Sequence, residues 1–275
     1  MLIFLALLPA AILLIVIFKS DKREKEPAGL LFKLFLFGLL STLVAGTLEA
    51  IGSAALSTVL EPESITFIAI ENFLIVALAE EFGKYFVVKK LTWKHPAFNY
   101  TFDAVVYAVF ASVGFAAFEN IFYVLDGGVG TAFMRGILSV PGHAIDAVFM
   151  GYYFGLAKRH EVVGDFRGSK KYLRLALWVP VLMHGFYDFC LSVEVIGMIL
   201  VFFVYEIVMT IVAIVQVAKL SSQDTALFQG RYPGANYVWQ MYTNGIIRYD
   251  PMTGRPYYVD PTRMNFDPVT GQRLR

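Results

Sequence analysis

Seven apolar stretches, at 1–18, 30–60, 65–88, 102–125, 131–157, 172–192 and 195–218, leave this chain little choice of fold. A run of about 17–25 apolar residues crosses a bilayer as a helix, and in lipid a helix satisfies its own backbone hydrogen bonds. With 57% hydrophobic residues, 16% charged residues and a mean hydropathy of +0.62, the expected fold is all-α: a polytopic transmembrane bundle of about seven helices with a short polar C-terminal tail. The net charge of +1 says nothing about partners. The one cysteine, Cys190, excludes an intrachain disulfide.

Lysines and arginines fall around 19–33, 89–94 and 158–174 and at Lys219, while the loops near 61–64, 126–130 and 193–194 have none. Every second loop is basic, the pattern expected of cytoplasmic loops. The topology read from it puts the N-terminus outside and the C-terminus in the cytoplasm. Arg135, inside the fifth stretch, is the single dissenting charge. The first stretch has its basic residues after it, the reverse of a secretory signal, and reads as an uncleaved helix. The bundle is expected over 1–220 and a cytoplasmic tail over 221–275. The tail contains an echo, Asp250-Pro251-Met252-Thr253-Gly254 and Asp267-Pro268-Val269-Thr270-Gly271, with residues suited to tight turns. A partly disordered tail and a small docking module are both open readings.

Ionisable residues at membrane depth carry the functional signal, because each costs roughly 2.5–3.5 kcal/mol on insertion scales. Glu80 and Glu81 lie in the third stretch, with Lys84 one helical turn on and able to reach either carboxylate. Glu119-Asn120 lies in the fourth, His143 in the fifth, and His184 with Asp188 at i+4 in the sixth. The expected product is one buried polar site made by four helices over 65–192. Paired carboxylates can supply a base and an acid at one pH. Asn120 has amide donors to offer an oxyanion, and Asp146 and Asp188 are each placed one turn on to orient His143 and His184. No serine or cysteine stands beside a base. The elementary alternative for each of these groups is an ion pair or hydrogen bond that only holds helices together. Counted along the helices, the four sites do not fall on one plane of the membrane.

These residues resemble the four motifs of the PrsW family of glutamate-dependent intramembrane proteases, related to the CAAX prenyl endopeptidase and bacteriocin-processing superfamily. The motifs are Glu80-Glu81-Phe82-Gly83-Lys84, Phe115-Ala116-Ala117-Phe118-Glu119-Asn120, His143, and His184-Gly185-Phe186-Tyr187-Asp188. The resemblance implies an integral membrane peptidase of a bacterial cell membrane, acting in signalling by site-1 cleavage of a membrane-anchored protein such as an anti-sigma factor. The expected partners are that substrate and the lipid bilayer, with no nucleic acid.

The preferred reading is hydrolysis by a water that Glu80 or Glu81 activates, with His143 and His184 positioning the water or protonating the leaving amine. No cofactor is expected in it. A rival makes Glu119, His143 and His184 ligands of a zinc ion, although neither cysteine clusters nor an H-E-x-x-H pattern is present. Two non-peptidase readings are a proton-coupled transporter, for which Glu206 in the last stretch speaks, and a non-catalytic membrane scaffold.

Overall fold

In a computed structural model, the described residues are 1–193, 195–227 and three short strands in the tail. The helices are α1 (Leu2–Ser20), α2 (Ala28–Leu56), α3 (Ile65–Ile70), a π-helical segment (Glu71–Val76), α4 (Ala77–Thr92), α5 (Asp103–Ile137), α6 (Ser139–Val162), α7 (Phe166–Ser192) and α8 (Ile196–Ser222). Each apolar stretch of the sequence coincides with helix. By length and composition, five helical spans are suited to crossing a membrane: Leu2–Ser20, Ala28–Leu56, Asp103–Val162, Phe166–Ser192 and Ile196–Ser222. The 60-residue span Asp103–Val162 contains both α5 and α6, which pack against each other.

Local chemistry sets the helix ends. Ser64 caps α3 by accepting the amide of Phe67 at 3.2 Å, and Asp165 caps α7 by accepting that of Gly168 at 2.9 Å. Gly164, at φ 81°, turns the chain between α6 and α7 in a conformation that favours glycine. α5 and α6 hold more buried residues than any other two helices, while α1, α2 and α8 turn many large apolar side chains outward, as lipid-facing helices do.

The basic loops gather at one end of the bundle. Ser221 Oγ donates to the carbonyl of Ser20, Asn99 Nδ2 to Glu24 Oε2 (3.2 Å), Thr101 Oγ1 to Asp224 Oδ1 (2.9 Å) and Lys158 Nζ to the carbonyl of Trp93 (2.7 Å). At this end α2 and α5 meet backbone to backbone. A Cβ on Gly38 would lie 2.0 Å from the Ala111 carbonyl oxygen, and one on Gly114 would lie 2.1 Å from that of Phe35. Thr42 Oγ1, 3.4 Å from the Phe115 carbonyl, makes one more contact outward, and a Cβ on Gly46 would meet open space.

The fourth and fifth stretches depart from the sequence reading. The loop expected at 126–130 lies inside the helical run of α5, interrupted by Gly128 at φ 74°, ψ −157°. There the chain folds back: Arg135 Nε donates to Asn120 Oδ1 at 3.0 Å. Fifteen residues of straight helix would put about 22 Å between them. Ala132 packs with Val124 and Ala6, and α6 begins only after a second bend at Leu138.

The tail strands 247–249, 256–259 and 265–266 pair antiparallel in sequence order, with Arg248 opposite Tyr257 and Val259 opposite Asn265. The two expected turns, 250–254 and 267–271, lie outside the described residues, as does Glu194.

Candidate active site

The π-helical segment adds a wide turn just before the glutamate pair and shifts the face on which α4 presents it. Asn72 in this segment donates to the Ile68 carbonyl at 2.8 Å and accepts from Ser192 Oγ at 3.3 Å. α7 approaches at Gly185, where a Cβ would come within 2.5 Å of the Phe73 ring. His184 is the preceding residue, so this close approach brings its ring to the glutamates. Pro180, one turn earlier, cannot donate to the Ala176 carbonyl.

Lys84 is fully buried at the centre of the cluster. Its ammonium donates to Glu81 Oε1 at 2.7 Å, His143 Nδ1 at 3.0 Å and Glu80 Oε2 at 3.1 Å, which uses all three of its donors. The ring of Phe115 covers it, with the centroid 4.3 Å away. An ammonium can only donate, so His143 Nδ1 is the acceptor and its Nε2 carries the proton. That Nε2 meets Glu119 Oε2 at 2.9 Å, and the other oxygen of Glu119 is held by Arg135 at 3.0 Å. His184 Nδ1 meets Glu81 Oε1 at 2.9 Å; its Nε2 lies 3.1 Å from Asp188 Oδ2 and 3.7 Å from Glu80 Oε2. The two imidazoles stand edge to face, 5.2 Å apart.

A cavity of about 650 Å³ opens beside this cluster, walled by α2, the π-helical segment, α4, α5, α6 and α7. Glu80, Glu119, His143, His184 and Asp188 line it; Glu81, Lys84 and Asn120 do not. The two glutamates are thereby separated. Glu80 faces the cavity and commits one oxygen to Lys84, whereas Glu81 is sealed behind it and ties Lys84 to His184. The lining reaches Met134, Leu138, Leu191 and Ser192, toward the end of the bundle opposite the basic loops.

Two expected contacts differ. Asn120 does not offer its amide to the cavity: Nδ2 donates to the Ala6 carbonyl at 2.7 Å and Oδ1 accepts from Arg135, so it fastens α5 to α1 and to the folded-back segment. Asp146 does not hold His143, which has Lys84 and Glu119 on its two nitrogens; it lies 3.9 Å from Nδ1 of His184 instead. Glu206 does not line the main cavity; it lines a small void that adjoins it, the two sharing Gly142, Asp146 and Tyr187. Sequence reasoning passed over three lining residues: Glu49 on α2, Asn72, and Arg135, read only as an anomaly of topology. A lone carboxylate inside the long second stretch and an arginine inside the fifth are the signals that could have found two of them.

Comparison with known proteins decides the family. The PrsW family intramembrane metalloprotease model matches residues 26–217. Protease PrsW of Oceanobacillus iheyensis is 38% identical over 184 residues, covering 67% of this chain and 80% of the relative. That of Halalkalibacterium halodurans is 33% identical over 218 residues, 79% of this chain and 95% of the relative, and that of Bacillus subtilis is 32% identical over 187 residues, 67% and 79%. The chain belongs to the PrsW family. It is a membrane peptidase and a multi-pass membrane protein, with bacterial relatives. No solved structure matches it. The family's description names a metalloprotease, and Glu80, Glu81, His143 and His184 could hold a metal ion, since one donor atom from each lies within 4.8 Å of the others.

Proposed function

We propose that the protein hydrolyses a peptide bond of a membrane-anchored protein with a water activated by Glu80. The observation that carries this reading is the separation of the two glutamates: Glu80 lines the cavity, while Glu81 is buried against Lys84 and His184. Glu80 takes the proton of a cavity water as it attacks the carbonyl carbon. His184 meets a carboxylate at each nitrogen and carries a proton on both. Its Nε2–H, between Glu80 and Asp188, donates to the developing oxyanion and then passes its proton to the amine as the C–N bond breaks, and the proton held by Glu80 afterwards returns to Nε2. His143, held by Lys84 and Glu119, fixes the opposite wall. A membrane-anchored anti-sigma factor is the substrate class that the family resemblance implies. The alternation of basic loops, and their meeting at one end of the bundle, supports a cavity that opens outward and a C-terminus in the cytoplasm.

A metal on the same residues is the second reading, favoured by the family's description and by the two histidines and two glutamates within reach of one point. As arranged, these residues do not fit a resident divalent ion. The Lys84 ammonium donates to three of the four, and an ion taking those lone pairs would displace one positive charge and stand beside it. The deciding experiment is cleavage of a single-pass peptide by purified protein in nanodiscs, with elemental analysis. Full activity after exhaustive chelation, lost in Glu80→Gln, is the expected result. One zinc per chain, with activity lost on chelation and restored by zinc, would replace this mechanism with the metal reading.

A further inference from the structure

Glu49 is a half-buried carboxylate on the wall of the cavity. Thr42, Gly46 and Glu49 form the stripe that α2 presents there, one helical turn apart, just outward of the level where α2 leaves α5. The other lining carboxylates have cationic or histidine neighbours: Glu80 pairs with Lys84, Glu119 with Arg135, Asp188 with His184, and Asp146 lies 3.9 Å from His184. Glu49 has neither an ion pair nor a hydrogen bond from its side chain among the described residues. Leaving a carboxylate unpaired at such depth is costly, and neither the hydrolysis above nor the packing of α2 makes use of it.

The local field has a definite sign. Five carboxylates line the cavity, and Arg135 is the one lysine or arginine among the described lining residues. A pocket with low-dielectric walls and one sign of charge concentrates the opposite charge.

We infer that Glu49 is a specificity subsite for a basic side chain, lysine or arginine, of the substrate. This rests on the peptidase reading of the cavity. The register of α2 against the following helical rod places the subsite. A Cβ on Gly83 would lie 3.4 Å from Ser41, and one on Gly52 would lie 2.7 Å from Ile75, so the two run antiparallel and Glu49 stands level with about Ala77. That is three residues outward of Glu80, or about 4.5 Å along a helix. An extended peptide advances about 3.3 Å per residue. The basic residue therefore sits one or two positions from the cleaved bond, on its outward side.

The test uses the full chain in nanodiscs and synthetic single-pass peptides that differ at one position, where Lys, Gln or Glu is moved through the five residues outward of the cleaved bond. The wild-type protein should prefer Lys over Gln at one position by about ten-fold in kcat/KM, a modest return for a charge pair away from bulk water. Glu49→Gln should abolish the preference while still cleaving the Gln peptide, and Glu49→Lys should transfer it to the Glu peptide. Binding of the same peptides to the Glu80→Gln protein, read by fluorescence anisotropy, separates this inference from the hydrolytic one. Selective binding of the Lys peptide without cleavage by wild-type protein would sink the hydrolytic reading and leave the subsite standing. Lys-to-Gln ratios within two-fold at every position in wild type, or a preference unchanged in Glu49→Lys, would overturn the subsite.

Discussion

Replacing each glutamate of the pair by glutamine should produce two different defects. Glu80→Gln keeps the shape of the side chain and an oxygen to accept from Lys84, and Lys84 retains its closer carboxylate, Glu81 at 2.7 Å. Its fold should survive at a cost of about 1–3 kcal/mol, that of one weakened buried hydrogen bond. Its chemistry should not. A general base contributes about 10²–10⁴-fold, or roughly 3–5 kcal/mol of transition-state stabilisation. Glu81→Gln removes the shorter of the two ion pairs of Lys84, leaving that unexposed ammonium with Glu80 as its one carboxylate beside His143, and takes the carboxylate from His184 Nδ1. Breaking a buried ion pair costs about 3–5 kcal/mol, a large part of a typical net stability of about 5–15 kcal/mol. Both variants are to be purified in the same detergent, melted by intrinsic fluorescence, and assayed for peptide cleavage well below their melting points, with rates scaled to the folded fraction. Glu80→Gln should be near-native in melting and nearly inactive. Glu81→Gln should melt early and keep more activity per folded molecule than Glu80→Gln. The opposite pattern, with Glu80→Gln cleaving within a few-fold of the parent and Glu81→Gln folded but inactive, would refute the assignment of the base.

Asn120→Ala should act on stability, since it leaves Arg135 Nε without its partner, at about 1–3 kcal/mol, and removes a second hydrogen bond from the Ala6 carbonyl; kcat measured below the melting point should fall less than about ten-fold, where loss of an oxyanion donor costs about 10²–10³-fold, and a hundred-fold fall in the folded protein would return Asn120 to the chemistry. With Cys190 replaced by alanine, single cysteines at Pro62 and Asp126 should react with an impermeant maleimide in intact cells, and one at Arg167 only after permeabilisation. Labelling of position 167 from outside would invert the orientation.

What could be read from the chain, and what could not, divides along the range of the interactions. Glu80, Glu81, Lys84, Glu119, His143 and His184 announce themselves because a charge or imidazole inside an apolar helix is costly, a property of the single segment. Their assembly around Lys84 agrees with that local signal even though their counted depths disagree. Part of that disagreement traces to 131–137, counted into the fifth stretch although it belongs to the folded-back run before the Leu138 bend. Nothing in a hydropathy window separates a glycine-rich loop from a glycine-rich reversal in which the helix resumes. The reversal has chemical consequences: it delivers Arg135 to Glu119, and so orients the proton on His143 Nε2. The same reversal, with α1 passing alongside, takes up the amide of Asn120. Helical spacing offers Asp146 to His143, three residues before it, but which ring it meets depends on how α7 packs on α6, and His184 is the one at hand. Spacing within one helix states which partners a group can have. The contact it makes is chosen by the neighbouring helix, and here the close approach of Gly185 to Phe73 and the bend at Gly128 make those choices.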